Sequence, residues 1–442
     1  MLDDAVPTRS RLSRAWSAVA RQSLLRNSVW IMLTTAVNSL LGYAFWLVVA
    51  RMYRPSEVGL AGALIATMSL LAAIMNLGTS AALVQRLPTL RSDSEWSRTL
   101  TASTVTATAG GFVLAVLAAV VVVPAVTSRL DVISSSVLHT AIFVSGVVLW
   151  SLSVVADYLF IAERRTENMF LRNLVFGLAK LAAVVVVAET GGRTATGVFG
   201  AWVGASALAL VLAFFLLLPR LAHRYRPSMA GVTREIRAMA RSYAGNYLVS
   251  LGNQLGVFLL PVIVVTRLSA SANAYFYVAW LLAGAFLIIS SSVGSALFAE
   301  GTHDPASLPR QTRSSIRITA ALLGPAMVFF FAAGGWVLGL FGTEYSHHAT
   351  TLLVVLTTAA VPDAITNLYV GRQRAEGRLR LPAVMTLCAA AVTVTSAWLL
   401  LPSMGLTGAG VAWLSGQSVG TLICLADALR RRRLRRRLVP AT

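Results

Sequence analysis

Long, predominantly apolar stretches recur along the whole chain, separated by short polar segments rich in arginine. A helix that spans the hydrocarbon core of a bilayer needs roughly 20 such residues. Twelve stretches reach that length, at 27–50, 58–82, 99–123, 137–162, 168–188, 196–218, 242–266, 275–299, 316–341, 348–370, 381–402 and 406–428. The pattern predicts an all-α polytopic membrane protein with about 12 transmembrane helices. The first stretch matches the others in length and has no small-residue cleavage site behind it. It is expected to be an uncleaved anchor rather than a signal peptide.

Composition and charge add direction to this pattern. Of 442 residues, 57% are hydrophobic and only 12% charged, against about 25% charged in soluble domains. A net charge of +20 would suggest nucleic acid in a soluble protein. Here the charges lie between apolar runs, so anionic membrane lipids are the expected partner and nucleic acid is not. With twelve spans, 31 of the 37 basic residues fall on the side that holds both chain ends. Five (Arg51, Arg54, Arg129, Arg193 and Arg267) fall on the other side, and Lys180 lies within a helix. Basic excess marks the cytoplasmic side, which predicts cytoplasmic N- and C-termini. The expected organisation is a basic N-terminal segment 1–26, an N-lobe 27–218, a basic cytoplasmic linker 219–241, a C-lobe 242–429 and an Arg-rich tail 430–442. Segments 12–24 and 228–241 alternate apolar and arginine positions at helical spacing, as interfacial helices do, though plain topology determinants read the same way. Cys388 and Cys424 both sit inside apolar runs and offer neither a disulfide framework nor a metal cluster.

Six spans precede the 219–241 segment and six follow it, so each half returns to the side where it began. Any internal repeat is therefore parallel, about an axis along the membrane normal. Leu159 to Asn168 (LFIAERRTEN) aligns with Leu368 to Gly377 (LYVGRQRAEG), both leaving a span through an Arg-x-Glu string. Arg26, Thr35 and Asn38 of the first span align with Arg241, Ser250 and Asn253 of the seventh. Two six-helix lobes related by this repeat are expected around a central cavity.

Polar groups within a bilayer usually face the protein interior or a wet cavity, because lipid penalises them. Asn27, Thr34 and Asn38 share one face of the first span; Asn246, Ser250, Asn253 and Gln254 line up in the seventh. Cavity lining is the expectation for these asparagines and Gln254, with ordinary interhelical hydrogen bonding as the alternative. Asp157, Lys180 and Asp363 are the ionisable residues best placed within spans. Asp157 and Lys180 either pair with each other or face cargo. Asp363 follows Pro362, so it either faces the cavity or serves backbone groups freed by a kink. Asp427, beside the tail, is expected to form an end-of-helix ion pair. Most of the ten tryptophans fall near span ends, as an interfacial aromatic belt predicts.

Several activities are excluded or unsupported. A nucleotide-binding phosphate loop needs Gly-Lys before Ser or Thr, and the lone Lys180 lies between Ala179 and Leu181. No zinc-hydrolase or serine-hydrolase string and no paired loop carboxylates appear. No cofactor is expected, and a polytopic enzyme of glycan assembly ranks behind a carrier.

The strings RNSVW from Arg26 and LVVARMYRPSEVGL from Leu47 to Leu60 resemble the first helix and first outer loop of bacterial polysaccharide flippases. Asn76 to Arg86 (NLGTSAALVQR) is similar to that family's Asp-Leu-Gly-x-x-x-Ala-Leu-x-x-Arg, with Asn in place of Asp. The resemblance implies a member of the multidrug, oligosaccharidyl-lipid and polysaccharide exporter superfamily in the bacterial inner membrane. It further implies alternating-access movement of polyprenyl-pyrophosphate-linked oligosaccharide for surface polysaccharide, alongside a polymerase and glycosyltransferases. Such cargo needs a polar cavity for sugars, for which Asn27, Asn38, Asn246, Asn253, Gln254, Asp157 and Lys180 are the candidates. It also needs cations for the pyrophosphate, for which Arg26, Arg172 and Arg241 are the candidates, arginine being suited by its planar fork of donors. A small-molecule exporter on the same fold is the competing reading.

Overall fold

The computed structural model describes residues 9–76, 78–221 and 225–438, with side chains described between residues 26 and 431 apart from 28, 81, 126 and 303. The alternating side chains of segment 12–24 lie outside the described residues. Twelve helices are long and apolar enough to span a membrane. The first six are α1 (Arg9–Met52), α2 (Pro55–Met75), α3 (Asp93–Ala125), α4 (Val137–Ala162), α5 (Thr166–Glu189) and α6 (Ala195–Arg220). The last six are α7 (Val232–Arg267), α8 (Ala270–His303), α9 (Leu308–Gly339), α10 (Thr343–Ala375), α11 (Arg380–Met404) and α12 (Leu406–Leu438). Helix satisfies every backbone group within the segment, which hydrocarbon demands. Pro261, Pro325 and Pro362 are accommodated inside α7, α9 and α10.

The two halves repeat one packing plan. In the first half α1 packs on α5, α5 on α6, α2 on α4, α4 on α6 and α3 on α4; in the second, α7 packs on α11, α11 on α12, α8 on α10, α10 on α12 and α9 on α10. Adding six to each helix number of the first set yields the second. The parallel repeat expected from the sequence is thus a repeat of contacts, and the chain is a pair of six-helix lobes.

Between the lobes the symmetry is broken. Helix α2 packs along both α7 and α8, whereas α1 barely meets α8. One seam is closed over its length and the other gapes. On the gaping side α1 leaves Val29, Met32 and Leu40 exposed, and α8 leaves Ile288, Ser291 and Ser295 exposed.

At the arginine-poor face the lobes are shut. Fully buried Asn273 of α8 donates to the Gly59 carbonyl of α2 at 2.6 Å, Tyr43 donates to the Leu281 carbonyl at 3.3 Å, and Arg51 donates to the Leu340 carbonyl at 2.8 Å. The Trp46 and Tyr277 rings meet at 4.5 Å. Gly59 is obligatory here, since a Cβ on it would overlap the Ala270 carbonyl oxygen, and a Cβ on Gly62 would stand 2.9 Å from the Tyr277 ring.

Two expectations are refined. Segment 228–241, read either as an interfacial helix or as plain topology determinants, is from Val232 onward the first turns of α7, and it docks on the N-lobe. Val232 and Met239 pack against Ala82 and Ala102, and buried Glu235 pairs with Arg86 at 2.9 Å while accepting from Thr99 Oγ1 at 3.0 Å. An amphipathic face finds protein before it finds lipid when its carboxylate meets an arginine and a hydroxyl on the neighbouring lobe. The tryptophans do not all face outward as a belt would: among the described residues Trp46, Trp96, Trp202, Trp280 and Trp413 are buried, whereas Trp336 and Trp398 are exposed. Span ends in a lobed bundle lie against neighbouring helices as often as against headgroups.

Candidate functional site

A cavity of about 640 Å³ lies between the lobes. The N-lobe contributes Asn38, Ser39, Gly42 and Tyr43 from α1 and Tyr158 from α4. The remaining wall belongs to the C-lobe, with its polar side chains drawn from α7 (Ser250, Asn253, Gln254), α10 (Asp363, Thr366, Asn367, Arg374) and α12 (Gln417). Trp280 and Trp413 also line it, their rings edge to face at 4.9 Å. Closed at the arginine-poor face by the Gly59 seam, the cavity extends to Arg374, one residue before the arginine-rich end of α10. A volume of this size is typical of sites for small ligands, about 300–1,000 Å³.

Residues 363 and 374 of α10 are eleven apart, which brings them to one helix face about 16 Å apart along the axis at 1.5 Å per residue. Asp363 is buried, with Ser290 and Asn367 against its carboxylate, yet its Oδ2 has no hydrogen-bond partner. Beside it Thr421 donates to the Pro362 carbonyl at 3.2 Å, and Thr366 donates to that of Asp363 at 2.8 Å. Arg374 donates from Nη2 to Ser250 Oγ at 3.4 Å, and its buried Nε has no partner. The acids near it are engaged elsewhere: Glu376 pairs with Arg372, Arg378 and Arg431 at 3.1–3.3 Å, and Asp427 pairs with Arg431 at 2.6 Å. The end-of-helix ion pair expected of Asp427 is therefore present.

Of the residues singled out from the sequence, the structure brings Asn38, Asn253 and Gln254 together in the cavity wall. The others go elsewhere. Asn27 is buried at the start of the first span, where Thr166 donates to its Oδ1 at 3.0 Å. Asn246 is half-buried outside the cavity lining. Asp157 does not pair with Lys180. It holds Arg172 in a bidentate grip, Nε at 2.9 Å and Nη2 at 2.8 Å, and accepts from Asn173 at 3.0 Å; Asn38 donates in turn to Asn173 at 3.0 Å. Arg172 is thus 2% exposed and not at a mouth, because a fork of donors fits a carboxylate two-pronged. Lys180, also buried, has its ammonium 4.3 Å from the Trp202 ring centroid, 4.7 Å from Phe176 and 5.2 Å from Phe45. Arg26 and Arg241 are exposed near the arginine-rich face and do not line the cavity.

The sequence reading missed Arg374, Asn367 and Gln417. A signal for Arg374 was available in the repeat, for its counterpart Arg165 lies 209 positions earlier. The two behave differently: Arg165 is exposed and pairs with Glu167 at 3.6 Å, whereas Arg374 turns into the cavity.

Two six-helix lobes built on a parallel repeat around a central cavity define a two-lobed, twelve-span membrane fold. The fold agrees over nearly the whole chain with an inward-facing multidrug-resistance MATE transporter of the MOP superfamily: TM-score 0.70, 16% identity, 94% of this chain and 100% of that one. It agrees also with the lipid II flippase MurJ in an inward closed conformation: TM-score 0.67, 11% identity, 91% and 87% coverage. A third similar structure is a MOP superfamily transporter from Pyrococcus furiosus, with TM-score 0.61, 15% identity and 92% and 95% coverage. No curated protein matches the sequence significantly. Residues 24–299 match the family model described as polysaccharide biosynthesis protein. The match covers more than half of the chain, which therefore belongs to that family.

Proposed function

We propose that this protein flips polyprenyl-pyrophosphate-linked oligosaccharide from the inner to the outer leaflet of a bacterial inner membrane, by alternating access, to supply surface polysaccharide assembly. The arginine-rich face is the cytoplasmic one on this reading. The observation that carries it is the cavity itself: amide and hydroxyl groups suited to sugars, set in a largely apolar wall with two tryptophans, and an arginine without a carboxylate partner at its arginine-rich end suited to phosphate. The gap between α1 and α8 leaves a lateral way out for a lipid tail. Closure at the Gly59 seam and openness between α1 and α8 correspond to a state loaded from the cytoplasmic side. Membership of the polysaccharide biosynthesis family supports the same cargo class.

The test is deletion in a strain without redundant flippases. Lipid-linked glycan accumulates in the inner leaflet and surface polymer disappears, whereas unchanged polymer sinks the proposal. A second reading, export of cationic small molecules, draws on buried Asp363 and the Trp280–Trp413 pair in the same cavity. It predicts altered resistance to such compounds with polymer intact, so one deletion strain separates the two.

A further inference from the structure

We propose that the anion site at the arginine-rich end of the cavity is shared by the two lobes. Arg374 and Ser250 hold a phosphate group from the C-lobe and Tyr158 holds it from the N-lobe, so that loading draws the lobes together. The inference rests on the phosphate-linked cargo argued above and adds how that cargo is coupled to movement.

Three observations lead to it. Arg374 has unfilled donor capacity: a guanidinium carries five N–H groups, one reaches Ser250 at the long distance of 3.4 Å, and Nε is buried without a partner. No carboxylate pairs with it among the described residues, since Glu376 and Asp427 are held by Arg372, Arg378 and Arg431. Secondly, Tyr158 approaches from the other lobe. It lines the same cavity as Arg374, from α4. Thirdly, the repeat does not supply a second cation, because Arg165, the counterpart of Arg374, is exposed and paired with Glu167. The N-lobe half of an anion site in this cavity thus falls to a neutral hydroxyl donor.

Such an arrangement works as a sensor. A phosphate oxygen between Arg374 and Tyr158 gains a charge-assisted bond from each side. The Tyr158 bond comes from the lobe opposite Arg374, so it is gained in full only when the arginine-rich ends approach. A ligand shifts a conformational equilibrium by its difference in affinity for the two states. Here the hydroxyl of Tyr158 supplies that difference, and Arg374 supplies affinity common to both.

The test uses the full chain, with Cys388 and Cys424 replaced by serine, in phosphatidylcholine nanodiscs that contain no anionic lipid. Spin labels at Val29→Cys on α1 and Ala299→Cys on α8 report the width of the open seam. Farnesyl diphosphate and inorganic pyrophosphate are titrated separately, to distinguish a lipid-borne diphosphate from a free one. Either probe is expected to bind and shorten the label distance in the parent chain, with farnesyl diphosphate binding the more tightly. Tyr158→Phe keeps binding within about threefold but leaves the distance unmoved, while Arg374→Gln binds at least about tenfold more weakly, as loss of a charged hydrogen bond dictates. Closure of Tyr158→Phe equal to the parent overturns the inference, as does a parent chain that binds without closing. In both cases export of polymer in cells leaves the flippase reading standing. A parent chain that binds neither probe removes the phosphate-linked cargo itself.

Discussion

In the N-lobe, Arg172 is gripped by Asp157, Asn173 ties Asp157 to Asn38, and Lys180 is boxed by Phe45, Phe176 and Trp202. In the C-lobe, Arg374, Asn253 and Gln254 face a common cavity and Arg374 has donors to spare. The helices around these groups follow one packing plan, so the difference comes from where the partners lie. A polar group whose partners are supplied by its own lobe is scaffold. One that lines the cavity with donors to spare is available to a ligand, and that distinction separates Arg374 from Arg172, whose unpartnered Nη1 lies outside the cavity lining.

The seam between the lobes offers the largest break. Gly59→Leu forces a side chain into the backbone of α8 at Ala270, so the arginine-poor face cannot shut. Export is expected to be lost at normal membrane abundance. A cysteine at Ala63, buried one turn along α2, becomes open to an impermeant thiol reagent from that face. Unchanged labelling and export would mean that this seam is not a moving part.

Within the N-lobe, Arg172→Ala leaves the Asp157 carboxylate without its bidentate partner, and breaking a buried pair costs about 3–5 kcal/mol. Thermal unfolding in detergent should show the loss as a lowered Tm and reduced abundance. The double variant Asp157→Leu with Arg172→Met should recover most of it, since apolar replacement of a buried pair is often neutral. Failure of the double variant to recover would assign the pair a role beyond scaffolding.

Asn253→Ala and Asn38→Ala sharpen the contrast further. Among the described residues no side chain pairs with Asn253, so its loss should lower export several-fold with Tm unchanged. Asn38 also holds Asn173, and its loss should lower both export and stability, the latter by about 0.6 kcal/mol as for an average interhelical bond. Equal stability of the two variants would argue that the Asn38–Asn173 bond contributes nothing. Smallest of all is Lys180→Met. Cation–π contacts worth about 2 kcal/mol are lost, but so is the burial of a charge without a carboxylate partner. The net change in unfolding free energy is expected within about 1 kcal/mol, and export should persist. Loss of export in Lys180→Met would place a working charge in the N-lobe after all.

Much of the architecture was legible in the chain. Hydrocarbon thickness sets helix length and lipid forbids unpaired backbone, so twelve apolar stretches had to be twelve helices. Their even division at residues 219–241 required any repeat to be parallel. Asn38, Asn253 and Gln254 could be found because a periodic polar face on an apolar helix must point inward. Arg374 could be flagged only as the repeat counterpart of Arg165, and the repeat does not say that one turns into the cavity while the other is exposed. Nor could Arg172 be told from Arg241, one buried on Asp157 and the other exposed.

The amino-acid order thus determined the spans, the repeat and the side of the membrane on which positive charge gathers, because each depends on the solvent a segment meets. Which arginine is spare, which seam gapes and which glycine closes the other end depend on contacts between residues far apart in sequence, such as Asn273 with Gly59 and Asp157 with Arg172. Those contacts exist only once helices are packed, and it is packing that decides whether a polar group already has its partners.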